Sequence, residues 1–135
     1  MKSHIISGIR MLCFLLCSKV YSQQAGVASY YADWFDGRTM ANGNNYNPNE
    51  LTCAHLTAPL GSIMKIALRD CPEQSVIVRV VDRGPYVKGR IVDLSKRAAK
   101  DLGILQMGIA DVVVGIIKNT GDEMPLPDLL LASIR

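Results

Sequence analysis

Two aspartates and one histidine carry the most chemistry in this sequence. Asp82 closes the apolar run SVIVRVVD (75–82), and Asp93 sits in a second run, IVDL (91–94). A carboxyl at the end of an apolar strand loses solvation, which favours its neutral, proton-donating form. Cleavage of a glycosidic bond needs such a donor at the leaving oxygen. His55, in LTCAH (51–55), is the one histidine beyond residue 22 and is placed to hydrogen-bond one of the acids. Tyr30, Tyr31, Trp34, Phe35 and Tyr46 fall close together in the chain, and Tyr86 follows Asp82 by four positions. Aromatic rings with polar edges offer flat surfaces on which a sugar face rests. Asn44 and Arg83 supply polar groups beside them. The candidate catalytic set is Asp82, His55 and Asp93. The candidate substrate-binding set is Asn44, Arg83, Tyr31, Trp34 and Tyr86.

Each of these has a plainer role beside it. Asp82 next to Arg83 could be an ion pair at a turn. Asp93 could cap a helix beside Ser95, His55 could be a hydrogen-bonded barrel residue, and the aromatics could be core. Spacing alone therefore supports a small β domain with a polar cleft.

The elements that must position these residues are short. Strand-type runs cover residues 26–32, 51–55, 63–68, 75–82, 91–94 and 111–118. Residues 36–48 (DGRTMANGNNYNP) are dense in Gly, Asn and Asp and read as loop. Asn47 and Pro48 are suited to open one short helical turn. Residues 95–102 (SKRAAKDL) are the best helix, with Ser95 as cap and Gly103 at its end. Arg83-Gly84-Pro85 ends its strand abruptly, because proline donates no ladder hydrogen bond. Six short strands, one helix and many turns predict a mainly β fold, a small closed barrel over residues 23–118. Residues 119–135 read as a C-terminal tail.

Residues 1–22 are a different kind of sequence. Lys2 and Arg10 precede the apolar run MLCFLLC (11–17), and Val20 and Ser22 stand at −3 and −1 to a cut before Gln23. This is the layout of a secretory signal peptide. It implies a secreted, periplasmic or envelope location, with lipid attachment at Cys17 as the alternative. The 135-residue chain has Lys+Arg 15 and Asp+Glu 12. Lys2, Arg10 and Lys19 lie in the leader, so the rest is charge-balanced. With no basic run, nucleic-acid binding is not expected. No apolar stretch is long enough to span a membrane. Beyond the leader only Cys53 and Cys71 remain. In an exported chain an even pair predicts a disulfide, worth about 3 kcal/mol in the chain-entropy view. The alternative is a Cys53–His55 nucleophile pair on one strand face. One histidine and two cysteines fall short of a zinc site. A monomer without metal or cofactor is expected.

Four blocks carry a resemblance: GVASYYADWFDGRTMANG (26–43), LTCAHLTAPLGS (51–62), VIVRVVDRGPYVKGRIVDLSKRAAKDLG (76–103) and VVVGIIK (112–118). Together they resemble the rare lipoprotein A (RlpA) family of bacterial envelope proteins. The resemblance implies a six-stranded double-psi β-barrel with one or two short helices. It also implies a lytic transglycosylase acting on peptidoglycan glycan strands stripped of stem peptides. Such enzymes cut the MurNAc–GlcNAc bond without water and leave 1,6-anhydromuramyl ends, with no cofactor. Asp82 and His55 match residues the family uses, and Asp93 matches an aspartate shared with expansins and related barrels. At position 44, where active members typically carry Glu, this chain has Asn. An amide neither donates nor takes up the proton of an acid, though it hydrogen-bonds a sugar. A non-catalytic, expansin-like glycan-binding module and a secreted inhibitor barrel are the competing readings.

Overall fold

The computed structural model describes residues 23–118. The expected leader and tail lie outside the described residues. Six strands close into a barrel in the order β1-β5-β2-β4-β3-β6. They are β1 Gln24–Tyr30, β2 Thr52–His55, β3 Ile63–Leu68, β4 Ser75–Asp82, β5 Arg90–Leu94 and β6 Ala110–Lys118. β1 runs parallel to β5 and β2 parallel to β4, while the other neighbours are antiparallel. Closure leaves no unpaired sheet edge.

The barrel interior follows from strand alternation. Val76, Val78 and Val80 of β4 point inward and are buried, while Ile77 and Arg79 point out. Met64 and Ile66 of β3, Val92 and Leu94 of β5, and Val112 and Val114 of β6 complete this core. The helix α1, Lys96–Leu102, adds Ala98, Ala99 and Leu102 to it. Ser95 sets where the helix starts. Its Oγ accepts from the Ala98 N–H at 3.1 Å and donates to the Glu50 carbonyl at 2.5 Å. Gly103 ends the helix at φ +86°, a left-handed conformation that a side chain would strain.

The predicted elements map closely onto these. The two strands 63–68 and 75–82 have the boundaries expected. β1 begins two residues earlier than local propensity indicates, because antiparallel pairing with β6 holds Gln24 and Ala25 opposite Val114 and Val113. It stops at Tyr30, and Asp33–Phe35 forms a 3-10 turn. Residues 47–50 form the single short turn expected, closed by the Glu50 N–H on the Asn47 carbonyl at 3.2 Å, and it does not continue into a helix. The Asn47 side chain accepts from the Asn49 N–H, and the next carbonyls are captured from outside, Pro48 by Arg97 and Glu50 by Ser95.

The Cys53–Cys71 disulfide is not formed. Both cysteines are free thiols. Cys53 is fully buried in the barrel core on β2, opposite Val80 and Leu94. Cys71 lies in the β3–β4 turn and donates to Glu73 Oε1 at 2.9 Å. Reading two cysteines as a pair missed that one of them is an inward wall residue.

Two measurements check this. Adding reductant should leave the melting temperature unchanged, and Cys71→Ala should alter stability by less than about 0.5 kcal/mol. A bridged protein would lose about 3 kcal/mol instead. Ser95→Ala should cost about 2 kcal/mol in denaturant unfolding, the upper range for a lost helix cap, because the same hydroxyl also holds Glu50.

Candidate functional site

The site is built where β4 ends. The β2–β4 register slips at this point: Cys53 faces Val80, but Ala54 faces Asp82. β4 therefore carries one extra residue, Val81. A bulge of this kind re-aims side chains. Val81 packs into a second, smaller cluster with Tyr31, Met40, Tyr46 and Ala54, separate from the barrel core. Asp82 comes out beside it, half-buried.

Three donors converge on Asp82. The Tyr31 hydroxyl donates to Oδ2 at 2.5 Å. The backbone N–H groups of Ala41 and Arg83 donate to Oδ1, each at 2.9 Å. Burial, then the bond to Asp82 and the charges of Asp82 and Asp93, push the Tyr31 phenol well above its ordinary pKa, so it remains a donor. The Ala41 bond ties down the loop that carries Asn44. That loop doubles back on itself through Met40 N–H to Asn44 O at 2.8 Å and Gly43 N–H to Met40 O at 2.9 Å. Gly43 takes φ +87°, where glycine fits without strain. Met40 and Tyr46 are its buried anchors, and Asn42 N–H reaches the Val81 carbonyl at 3.1 Å. Asn44 itself is exposed and lines a cleft of about 300 Å³ with Asn42, Glu50, Thr52, Arg79 and Val81.

Asp93 stands on the other side of Ala54. Ala54 pairs with Asp82 across β4 and with Asp93 across β5. Two strand spacings put the two aspartates' backbones about 10 Å apart. Asp93 accepts from the Ser29 hydroxyl and from Arg90 Nη2 at 2.5 Å. It does not cap the helix, since Ser95 does.

His55 is placed differently from expectation. It reaches neither aspartate among the described residues. Its Nδ1 accepts from the Thr57 and Ala58 N–H groups at 3.2 and 3.0 Å, and its Nε2 faces Gln24 Oε1 at 3.1 Å. This pattern requires the neutral tautomer with the proton on Nε2. Burial and the nearby Arg83 charge lower its pKa. His55 opens onto another cleft, of about 390 Å³, with Gln24, Thr57 and Met64. The reason is the chain turn after β2, which wraps back over the ring and saturates Nδ1. The Cys53–His55 pair fails too, because Cys53 faces the core and burial pushes its thiol pKa up.

Arg83 makes no ion pair with Asp82. Its Nη1 donates to the carbonyls of His55 and Ala58 at 3.0 and 2.6 Å, bracing the β2–β3 connection. Tyr31 is buried in the small cluster, its ring 4.7 Å from Tyr46 and 5.1 Å from Phe35. Trp34 is 61% exposed, stacked on Phe35 at 3.8 Å, with the Arg38 guanidinium 4.6 Å from its ring centre. Tyr86 is 82% exposed beyond the Gly84–Pro85 bend. Tyr30 is structural and donates to the Leu105 carbonyl at 2.6 Å. The structure thus joins Asp82, Tyr31 and the Asn44 loop, holds Asp93 nearby, and sets His55 apart. Sequence reasoning missed Ser29, Gln24, Thr52 and Arg79. Ser29 was traceable as a polar residue inside the apolar run GVASY.

The ring of His55 gives a pH test. Its folded pKa lies below the ordinary value of 6.5, so the unfolded chain binds the proton more readily. Stability contributed by neutral His55 should therefore be full above about pH 6.5 and fall as pH drops through that value toward the lower folded pKa. Urea midpoints measured between pH 7 and 5 should decline, and His55→Asn should flatten that decline.

Comparison with known proteins places these features. A family model described as lytic transglycolase matches residues 23–114. The chain is 47% identical over 94 residues to the endolytic peptidoglycan transglycosylase RlpA of Pasteurella multocida, covering 69% of this chain and 31% of that one. It is 45% identical over 96 residues to the probable endolytic peptidoglycan transglycosylase RlpA of Synechocystis, covering 70% and 29%. The chain thus spans about a third of the length of these relatives. Among solved structures, Streptomyces papain inhibitor aligns with TM-score 0.59 at 19% identity, over 73% of this chain and 97% of that one. An apo expansin of Clavibacter michiganensis aligns with TM-score 0.57 at 21% identity, over 78% and 54%. At such identity these two show the fold alone, the double-psi β-barrel.

Proposed function

This chain belongs to the lytic transglycolase family, and from that premise we propose that it is an endolytic peptidoglycan transglycosylase, acting in the cell envelope on glycan strands free of stem peptides. The observation that carries the reading is the setting of Asp82, a carboxylate held by a phenol and two backbone N–H groups, whose neighbour Val81 and the tethered Asn42–Asn44 loop line an open cleft. The names of the relatives support the substrate.

One acid/base group is enough for this chemistry. Asp82 in its acid form protonates the glycosidic oxygen as the bond from the muramyl C1 breaks. The resulting carboxylate takes the proton from the muramyl 6-hydroxyl, whose oxygen closes onto C1. One C–O bond is lost, one is formed, and the proton on Asp82 is restored. No water enters. Tyr31 acts as a positioning residue, keeping the carboxyl oriented through Oδ2. Asp93, locked to Ser29 and Arg90, serves as a fixed negative charge near Tyr31 rather than as a second proton carrier. His55 serves the fold of the wall behind the site.

A second reading is a glycan-binding module without catalysis. Asn44 and the exposed Trp34 favour it. One experiment separates the two. The purified protein is incubated with stem-peptide-free glycan and the products are weighed by mass spectrometry. 1,6-Anhydromuramyl ends should form, and Asp82→Asn should lower their rate at least about 100-fold. Asn44→Glu should raise the wild-type rate. Glycan retention without anhydro products, unchanged by Asp82→Asn, would leave only the binding reading standing.

A further inference from the structure

The cleft beside Asn44 holds two groups that the acid/base step leaves unused. Thr52 is only 7% exposed, and its Oγ1 has no hydrogen-bond partner among the described residues. Buried hydroxyls are nearly always paired, so an orphan lining a cleft marks a place where a ligand completes the bond. Arg79 projects from β4 opposite Thr52 of β2. It is exposed, and the one hydrogen bond of its guanidinium among the described residues is a long one, 3.4 Å to the Gly61 carbonyl. The ion pairs among the described residues are Arg90–Asp93, Lys96–Asp33 and Arg97–Asp101. Arg79 is in none of them, although Glu50 lines the same cleft. An arginine, a glutamate, two asparagines and a threonine with a buried, unpaired hydroxyl therefore line one space with no ion pair among them.

Such a lining suits a ligand with one anionic group and several neutral hydrogen-bonding ones. Within a peptidoglycan glycan strand, the one anion carried by the sugars themselves is the lactyl carboxylate of the muramyl residue. It is free where the stem peptide is absent and is a neutral amide where the peptide is attached. We propose that this cleft is a subsite for the muramyl lactyl carboxylate, with Arg79 as its ion-pair partner and Thr52 Oγ1 bonding the same sugar. Glu50 and Asn44 take the hydroxyl and acetamido N–H donors of that sugar. Arg79 lies three residues before Asp82, about 10 Å along the strand, so the carboxylate is read to one side of the bond that is cut. This inference rests on the peptidoglycan reading and adds a discriminator to it. Arginine presents paired N–H donors that match a carboxylate and gain much less from an amide.

The test separates the two claims. Stem-peptide-free glycan oligomers are prepared in two forms, one with the native lactyl carboxylates and one with those carboxylates converted to methylamides. Each is titrated calorimetrically into the full chain. The wild type should bind the carboxylate form about tenfold more tightly. Arg79→Gln should bring the carboxylate form down to the affinity of the methylamide, and Arg79→Lys should retain part of the difference. Thr52→Val, which keeps the shape and removes the hydroxyl, should weaken both forms by a similar factor. Binding of both forms with equal affinity by the wild type, or a preference that survives Arg79→Gln, overturns the subsite while the peptidoglycan reading stands. Failure to bind either form overturns both. Circular dichroism of each variant confirms that a lost preference is not a lost fold.

Discussion

The Asp82 carboxylate is where the barrel and its longest loop are joined. One oxygen accepts from Arg83 in its own chain turn and from Ala41 across the loop, and the other accepts from Tyr31. Without the Ala41 bond, the segment around Asn44 would keep its internal turn and the Asn42 N–H to Val81 carbonyl bond but lose its tie to the carboxylate. Without Tyr31, only the two N–H groups on Oδ1 would hold the carboxyl group, and Oδ2 would lose its donor. Tyr31 in turn depends on the small cluster of Met40, Tyr46, Ala54 and Val81 that buries its ring. The geometry of the Asp82 carboxyl group and the packing of the loop are therefore one problem with one solution.

That arrangement sets two buried polar side chains at the two ends of a single strand. β2 is only four residues long and buried throughout. At its start, Thr52 faces the Asn44 cleft; at its end, His55 faces another. Between them Cys53 seals the core and Ala54 separates Asp82 from Asp93. The small side chain of Ala54 matters here, because it is buried in the same cluster as Tyr31. Cleft-lining, core and small-cluster positions thus follow one another within four residues of β2.

Much of this was legible in the sequence, and the exceptions have clear causes. Inward valines at 76, 78 and 80 and the Ser95–Gly103 frame of the helix are local patterns, readable from a few neighbours. The place of Asp82 at a strand end was also readable, from the apolar run before it and the proline turn after it. The partners of His55 were not, because Gln24 is 31 positions away and the two amides that saturate Nδ1 arrive through a loop conformation. Arg83 looked like a partner for its neighbour Asp82, but adjacent side chains on a strand diverge, and its guanidinium reaches back to the β2–β3 connection instead. The free cysteines show the same limit. Counting thiols says nothing about which way a strand turns one of them.

The extra residue in β4 has a consequence for how this sequence can vary. Side chains on a strand alternate between inside and outside, so a count of one separates the two. After Val80, which points into the barrel, strict alternation would send residue 82 inward again. The bulge at Val81 keeps it out. Deleting Val81 would remove the bulge itself: Asp82 would follow Val80 directly and still point outward, but the small cluster would lose an apolar member and the Asn42 N–H would lose the carbonyl it reaches. What this stretch must preserve is therefore its length before its letters. Val81 can be exchanged for another apolar residue of similar size far more readily than it can be deleted.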